Sequence, residues 1–154
     1  MASAFAKIKR LELLKRLFSK HHIVITPEIY EELAISVDYG YAFPLHIFSY
    51  FEVLHPSEEE SKEYQKLLIE KRRLGKGELE AITICKHRGC IFSSMDTVAL
   101  RFAEENDVET LGLHSILRSL WESDIQSKDE IKDIIKEIDT QDNTRIKDVE
   151  AVFK

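Results

Sequence analysis

Three acids in this 154-residue chain sit where carboxylates could do chemistry rather than simply meet water. In Gly77-Glu78-Leu79-Glu80-Ala81-Ile82 the first acid falls inside an apolar stripe. At about 100° per residue, Ile82 and Cys85 lie within about 40° of Glu78 on a helix, and Glu80 lies near 200°. The spacing predicts Glu78 facing inward and Glu80 outward. An inward acid in a first turn can complement the helix dipole. It can also hold a cation or a catalytic water, because a desolvated carboxylate needs a partner. Asp96 follows the run Cys-Ile-Phe-Ser-Ser (90–94) and precedes a helical pattern, so it suits an N-cap. The same place, just past a strand, is where open parallel sheets collect ligands. In Pro-Glu-Ile-Tyr-Glu-Glu-Leu (27–33), Ile29 and Leu33 mark the buried face, Glu31 lies opposite, and Glu32 borders that face, where it suits a solvated helix edge as well as a site. Glu32, Glu78 and Asp96 gathered at one sheet edge would form an oxygen-rich site for Mg²⁺ or Mn²⁺ rather than for zinc.

The elements that must position these acids follow from periodicity and turn signals. Residues 4–19 carry Phe5, Ile8, Leu11, Leu14 and Phe18 at helical spacing. A short β-branched run ends at Thr26, and Thr26-Pro27-Glu28 opens a helix. Residues 47–55 are expected as a strand, and Ser57 with Glu60 as a capping box for a helix over 58–73. The helix bearing Glu78 is expected to close at Gly89. Strands are then expected at 90–94 and 108–112, and helices at 97–106, 114–123 and 127–139, with a further short helix near the end. Strands alternating with helices predict parallel pairing through right-handed crossovers. The expected fold is a three-layer α/β sandwich with a central, mostly parallel sheet of about four strands. A single domain over 1–154 is expected, with a helical segment at about 127–154.

Composition narrows the partners. The net charge of -6 gives no broad attraction to phosphates, so any nucleic acid would be handled locally. Arg101, and Lys71, Arg72, Arg73 and Lys76 near Glu78, could meet an RNA backbone or form a solvated charge run. The six histidines show no metal-ligand spacing. His114, near the end of the 108–112 strand, could reach the cleft or lie on the surface. Cys85 and Cys90 lack paired spacing and are expected as buried free thiols. Trp121 and Leu117 are expected in a core or an interface. No stretch reads as a membrane span or a secretory signal, so a cytoplasmic location is expected.

In order and spacing these segments resemble the PIN domains, metal-dependent ribonucleases that include the VapC-type toxins of toxin-antitoxin pairs. Ala-Lys-Ile-Lys-Arg-Leu-Glu-Leu-Leu-Lys-Arg-Leu-Phe (6–18) and Ile-Val-Ile-Thr-Pro-Glu-Ile-Tyr-Glu-Glu-Leu (23–33) resemble that family's first helix, second strand and acid-bearing helix, placing its Glu at Glu32. Residues 77–96 resemble its helix-strand unit, placing acids at Glu78 and at Asp96 within Ser94-Met95-Asp96. Val108 to Leu117 resembles the last strand and following helix. The resemblance implies Glu32, Glu78 and Asp96 as metal and catalytic residues, with Mg²⁺ or Mn²⁺ activating water against an RNA phosphodiester. Ser94, Arg101 and His114 are the implied substrate contacts, and an antitoxin-like protein and a second copy of the chain are the implied partners.

The departures from the pattern carry their own expectations. PIN domains open with a central strand ending in Asp, whereas this sequence starts Met1-Ala2-Ser3-Ala4-Phe5. The first strand and its acid are therefore expected to be missing, weakening metal binding and impairing activity. Leu113 stands where the family has Thr, and no further acid closely follows Asp96. Without that strand, residues 23–26 and 90–93 are expected either to pair directly or to recruit a partner strand, as in a homodimer. The competing reading is a catalytically impaired PIN-fold module that binds protein or nucleic acid. A receiver-like signalling domain is disfavoured, because no early strand ends in paired Asp residues.

Overall fold

The computed structural model describes residues 1–71 and 73–154. Arg72, one of the cations expected beside Glu78, lies outside them. In chain order the first elements are α1 (Ala2–Lys7), α2 (Leu11–Leu17), β1 (Val24–Ile25), α3 (Pro27–Asp38), α4 (Phe43–Tyr50), β2 (Glu52–Val53) and α5 (Glu58–Glu70). They are followed by α6 (Lys76–Arg88), β3 (Phe92–Ser93), α7 (Thr97–Glu105), β4 (Thr110–Leu111), α8 (Leu113–Glu122), α9 (Lys128–Gln141) and α10 (Glu150–Phe153). These fall into two compact units, Val24–Tyr41 with Phe51–Gly112, and Met1–Ile23 with Ala42–Tyr50 and Leu113–Lys154. The fold is an α/β sandwich with a small parallel sheet component, as the alternation of elements predicts, and all four strands lie in the first-named unit.

In this α/β unit β1 pairs with β2 through Val24 opposite Glu52 and Ile25 opposite Val53. β3 pairs with β4 through Phe92 opposite Thr110 and Ser93 opposite Leu111. Both pairs are parallel, and they form two separate two-stranded sheets. The expected direct closure between residues 23–26 and 90–93 is therefore not formed among the described residues. Ala81, Ile82, Cys85, Phe92, Ala99, Ala103 and Val108 make a buried cluster that ties α6 and α7 to the β3–β4 pair. Gly89 ends α6 in the left-handed conformation at φ 66°, as its place at the end of the pattern predicts. Cys85 is buried and Cys90 half-buried, and both are free thiols. Burial pushes the Cys85 thiol up to about 12, which leaves it unreactive at neutral pH.

The helical unit corrects two element assignments. The helix expected over 4–19 breaks between α1 and α2, where Lys9 adopts the left-handed region at φ 58°. The strand expected at 47–55 is instead α4 followed by the two-residue β2. Phe43-Pro44 starts that helix, and Pro favours a first turn. An apolar run this short does not separate buried helix from strand by periodicity. The unit's core holds Phe5, Ile47, Ile116, Leu117, Leu120, Ile131, Ile134, Ile138 and Val152. Leu117 is thus core, and Trp121 Nε1 donates to the Val152 carbonyl at 2.8 Å, fastening α10 to α8.

Candidate functional site

The N-terminus of α6 organises the acids of the α/β unit. Glu78 Oε2 accepts from the Gly75 amide at 3.3 Å. This is half of a capping box, since glycine has no side chain to return the bond. The other oxygen, Glu78 Oε1, accepts from Ser94 Oγ at 3.3 Å. Ser94 Oγ in turn accepts from the Asp96 amide at 3.0 Å, so one hydroxyl ties the end of β3 to both acids. Asp96 caps α7 as its position predicts, its Oδ1 accepting from the Val98 amide at 2.8 Å. From α3, Glu32 Oε1 accepts from the Gly77 amide at 3.2 Å. Glu78 is half-buried, whereas Glu32 and Asp96 are exposed.

The electrostatics set Glu78 apart. Its carboxyl is pushed above the usual range, first by burial and then by the neighbouring Asp96, with Glu32 adding to the effect. The bonds from Gly75 and Ser94 oppose this shift without overcoming it. Among the described residues no Lys, Arg or His forms an ion pair with Glu32, Glu78 or Asp96. Glu32 Oε2 and Asp96 Oδ2 accept no protein hydrogen bond there either. Hard, uncompensated oxygens of this kind suit Mg²⁺ or Mn²⁺ in their chemistry. Their present placement is looser than a finished site: no group of three His, Cys, Asp or Glu side chains among the described residues stands close enough to hold an ion.

Glu80 overturns the outward orientation expected for it. It is 5% exposed and its Oε1 accepts from the Glu28 amide, at the start of α3, at 2.9 Å. The wheel argument failed because α6 has no single buried stripe: every residue from Leu79 to Cys85 is buried. Gly77 is the other residue that spacing alone did not single out. A Cβ there would meet Ile29 Cγ1 at 2.8 Å and both Glu32 carboxylate oxygens at 3.2 Å. A glycine inside a helical pattern next to an acid is the signal that points to such a close approach.

Arg101 lies on α7 beside an open groove of about 620 Å³, with Lys71, Arg73, Val98 and Phe102 among its other lining residues. Lys71 Nζ stands 5.6 Å from the centre of the Phe102 ring. Val98 lines the groove and also supplies the amide that Asp96 caps, so the groove starts beside one of the acids. His114 belongs to the helical unit, where its Nε2 bonds with the Lys147 carbonyl at 2.7 Å. No helix among the described residues is long and apolar enough to cross a membrane.

A PIN domain family profile matches residues 3–151. No curated protein and no solved structure matches the chain.

Proposed function

The chain belongs to the PIN domain family, and from that premise we propose that it is a metal-dependent endoribonuclease related to toxin-antitoxin toxins, with Glu32, Glu78 and Asp96 as its metal-holding acids. One observation carries this reading: Glu78 is half-buried, its carboxyl is pushed up by burial and by the charges of Asp96 and Glu32, and no Lys, Arg or His among the described residues pairs with it. An arrangement that costs stability without a counter-ion is explained by a ligand that supplies the charge. Bound Mg²⁺ or Mn²⁺ would supply a water of lowered pKa and steady developing negative charge.

The chain's own residues divide the remaining work. Ser94 fixes the Glu78 carboxylate relative to the Asp96 turn. Arg101, Lys71 and Arg73 offer phosphate contacts along the groove, and Val98 and Phe102 offer an apolar surface for a base. Because the acids are not gathered as a group of three, the reading predicts weak metal affinity and slow turnover. Purified protein should cleave single-stranded RNA in Mn²⁺, and Glu78→Gln and Asp96→Asn should each abolish the cleavage. Metal-independent cleavage, or cleavage unchanged in both variants, would reject the assignment.

The loose spacing of the acids favours one second reading, a PIN-fold module that binds RNA or an antitoxin-like protein without cutting. RNA retained on the wild-type protein with no cleavage at any Mn²⁺ concentration would select it.

A further inference from the structure

α3 and α6 cap each other. The first turn of any helix leaves amides without an internal acceptor, and here the second-residue amide of each helix is met by a carboxylate from the other. The Glu28 amide of α3 donates to Glu80 Oε1 at 2.9 Å, and the Gly77 amide of α6 donates to Glu32 Oε1 at 3.2 Å. The exchange requires close approach, and Gly77 allows it, since a Cβ there would overlap Ile29 Cγ1. Glu80 is buried and makes no ion pair among the described residues, so its inward turn is explained by what it holds.

From this reciprocity we infer that Glu80 and Gly77 are positioning residues, which fix α3 on α6 so that Glu32 is delivered to the same helix terminus that carries Glu78. The inference rests on the nuclease reading for the value of that delivery, and on the two bonds alone for its existence. It gives the two acids of Gly-Glu-Leu-Glu different roles: Glu78 faces the proposed metal, and Glu80 sets the distance to the third acid. Tyr64, buried on α5, points the same way. Its hydroxyl is pushed above its usual range first by burial and then by the charge of Glu28, with Glu80 and Glu32 adding to the effect.

The test compares Glu80→Ala with Glu80→Gln, whose amide oxygen can still accept from Glu28. Two measurements are made below the melting temperature of each variant: hydrogen exchange at the Glu28 and Gly77 amides, and Mn²⁺ binding. The expected result is faster exchange at both amides in Glu80→Ala, including Gly77, which Glu80 does not touch. Mn²⁺ affinity should fall about tenfold, the usual scale for loss of an orienting partner, and Glu80→Gln should restore both. If Glu80→Ala does not fold, Gly77→Ala breaks the same junction from the other side and should show the same loss. Faster exchange confined to Glu28, or no restoration by Glu80→Gln, would overturn the inference. Should wild-type protein bind no Mn²⁺, the nuclease reading falls, and the Gly77 amide still decides whether the two helices cap each other.

Discussion

α5 and α6 begin with the same device and end in opposite electrostatic states. At the start of α5, Glu60 Oε2 accepts from the Ser57 amide and Ser57 Oγ accepts from the Glu60 amide, a complete capping box. Arg88 then grips that carboxylate with two bonds, at 2.8 and 2.9 Å, and Glu60 is 3% exposed. The Arg88 guanidinium holds the Glu60 carboxyl below its usual range against the opposing effect of burial. At the start of α6, Glu78 makes half the box, meets acids instead of a cation, and is pushed the other way. The comparison teaches how to separate an acid that serves the fold from one that serves a ligand. The first is neutralised within the chain, and the second is left for something outside it.

The largest effect expected from breaking this contrast is at the paired site. Arg88→Met leaves Glu60 buried without its cation and should cost about 2–4 kcal/mol in urea unfolding. A cost under about 0.5 kcal/mol would mean that the pair is an exposed surface bridge in its energetics. Gly77→Ala should follow, destabilising by about 1–3 kcal/mol as Ile29 gives way to the new methyl group. A neutral result would show that α3 has room to shift.

Glu78→Gln should act in the other direction. Removing an uncompensated charge should raise the melting temperature by up to about 2 °C at neutral pH without metal. The sign follows from linkage: a carboxyl raised in the folded state favours folding while protonated, and that contribution is lost as pH rises through the folded pKa. The advantage of Glu78→Gln should therefore shrink as pH falls into the carboxylate range. Glu60 runs opposite, its contribution present above the usual carboxylate range and lost as pH falls through its lowered folded value. Melting curves from pH 3 to 7 on wild type, Glu78→Gln and Arg88→Met would show the two trends with opposite slopes.

Much of this was legible in the residues. Thr26-Pro27, Ser57 with Glu60, Gly89 and Asp96 each announced a helix end through local chemistry, and each end lies within about two residues of its expected place. Glu78 and Asp96 were legible as candidates because first-turn and cap positions are fixed by local spacing, and Glu32 because Ile29 and Leu33 mark the face it borders. Glu80 was not, because a helical wheel assumes one wet face and α6 has none over its central turns. Nor was α4, where Phe43 to Tyr50 carries apolar residues that suit helix or strand until neighbours choose. The division of four strands into two pairs was likewise hidden, since pairing is decided by contacts distant in sequence.

Mn²⁺ titration of the wild-type protein by calorimetry, beside Glu78→Gln and Arg88→Met, bears most directly on the uncompensated acids. Saturable binding in wild type and in folded Arg88→Met, lost in Glu78→Gln, is the expected result. Equal heats in wild type and Glu78→Gln, or no saturable binding by wild type at millimolar metal, would contradict it.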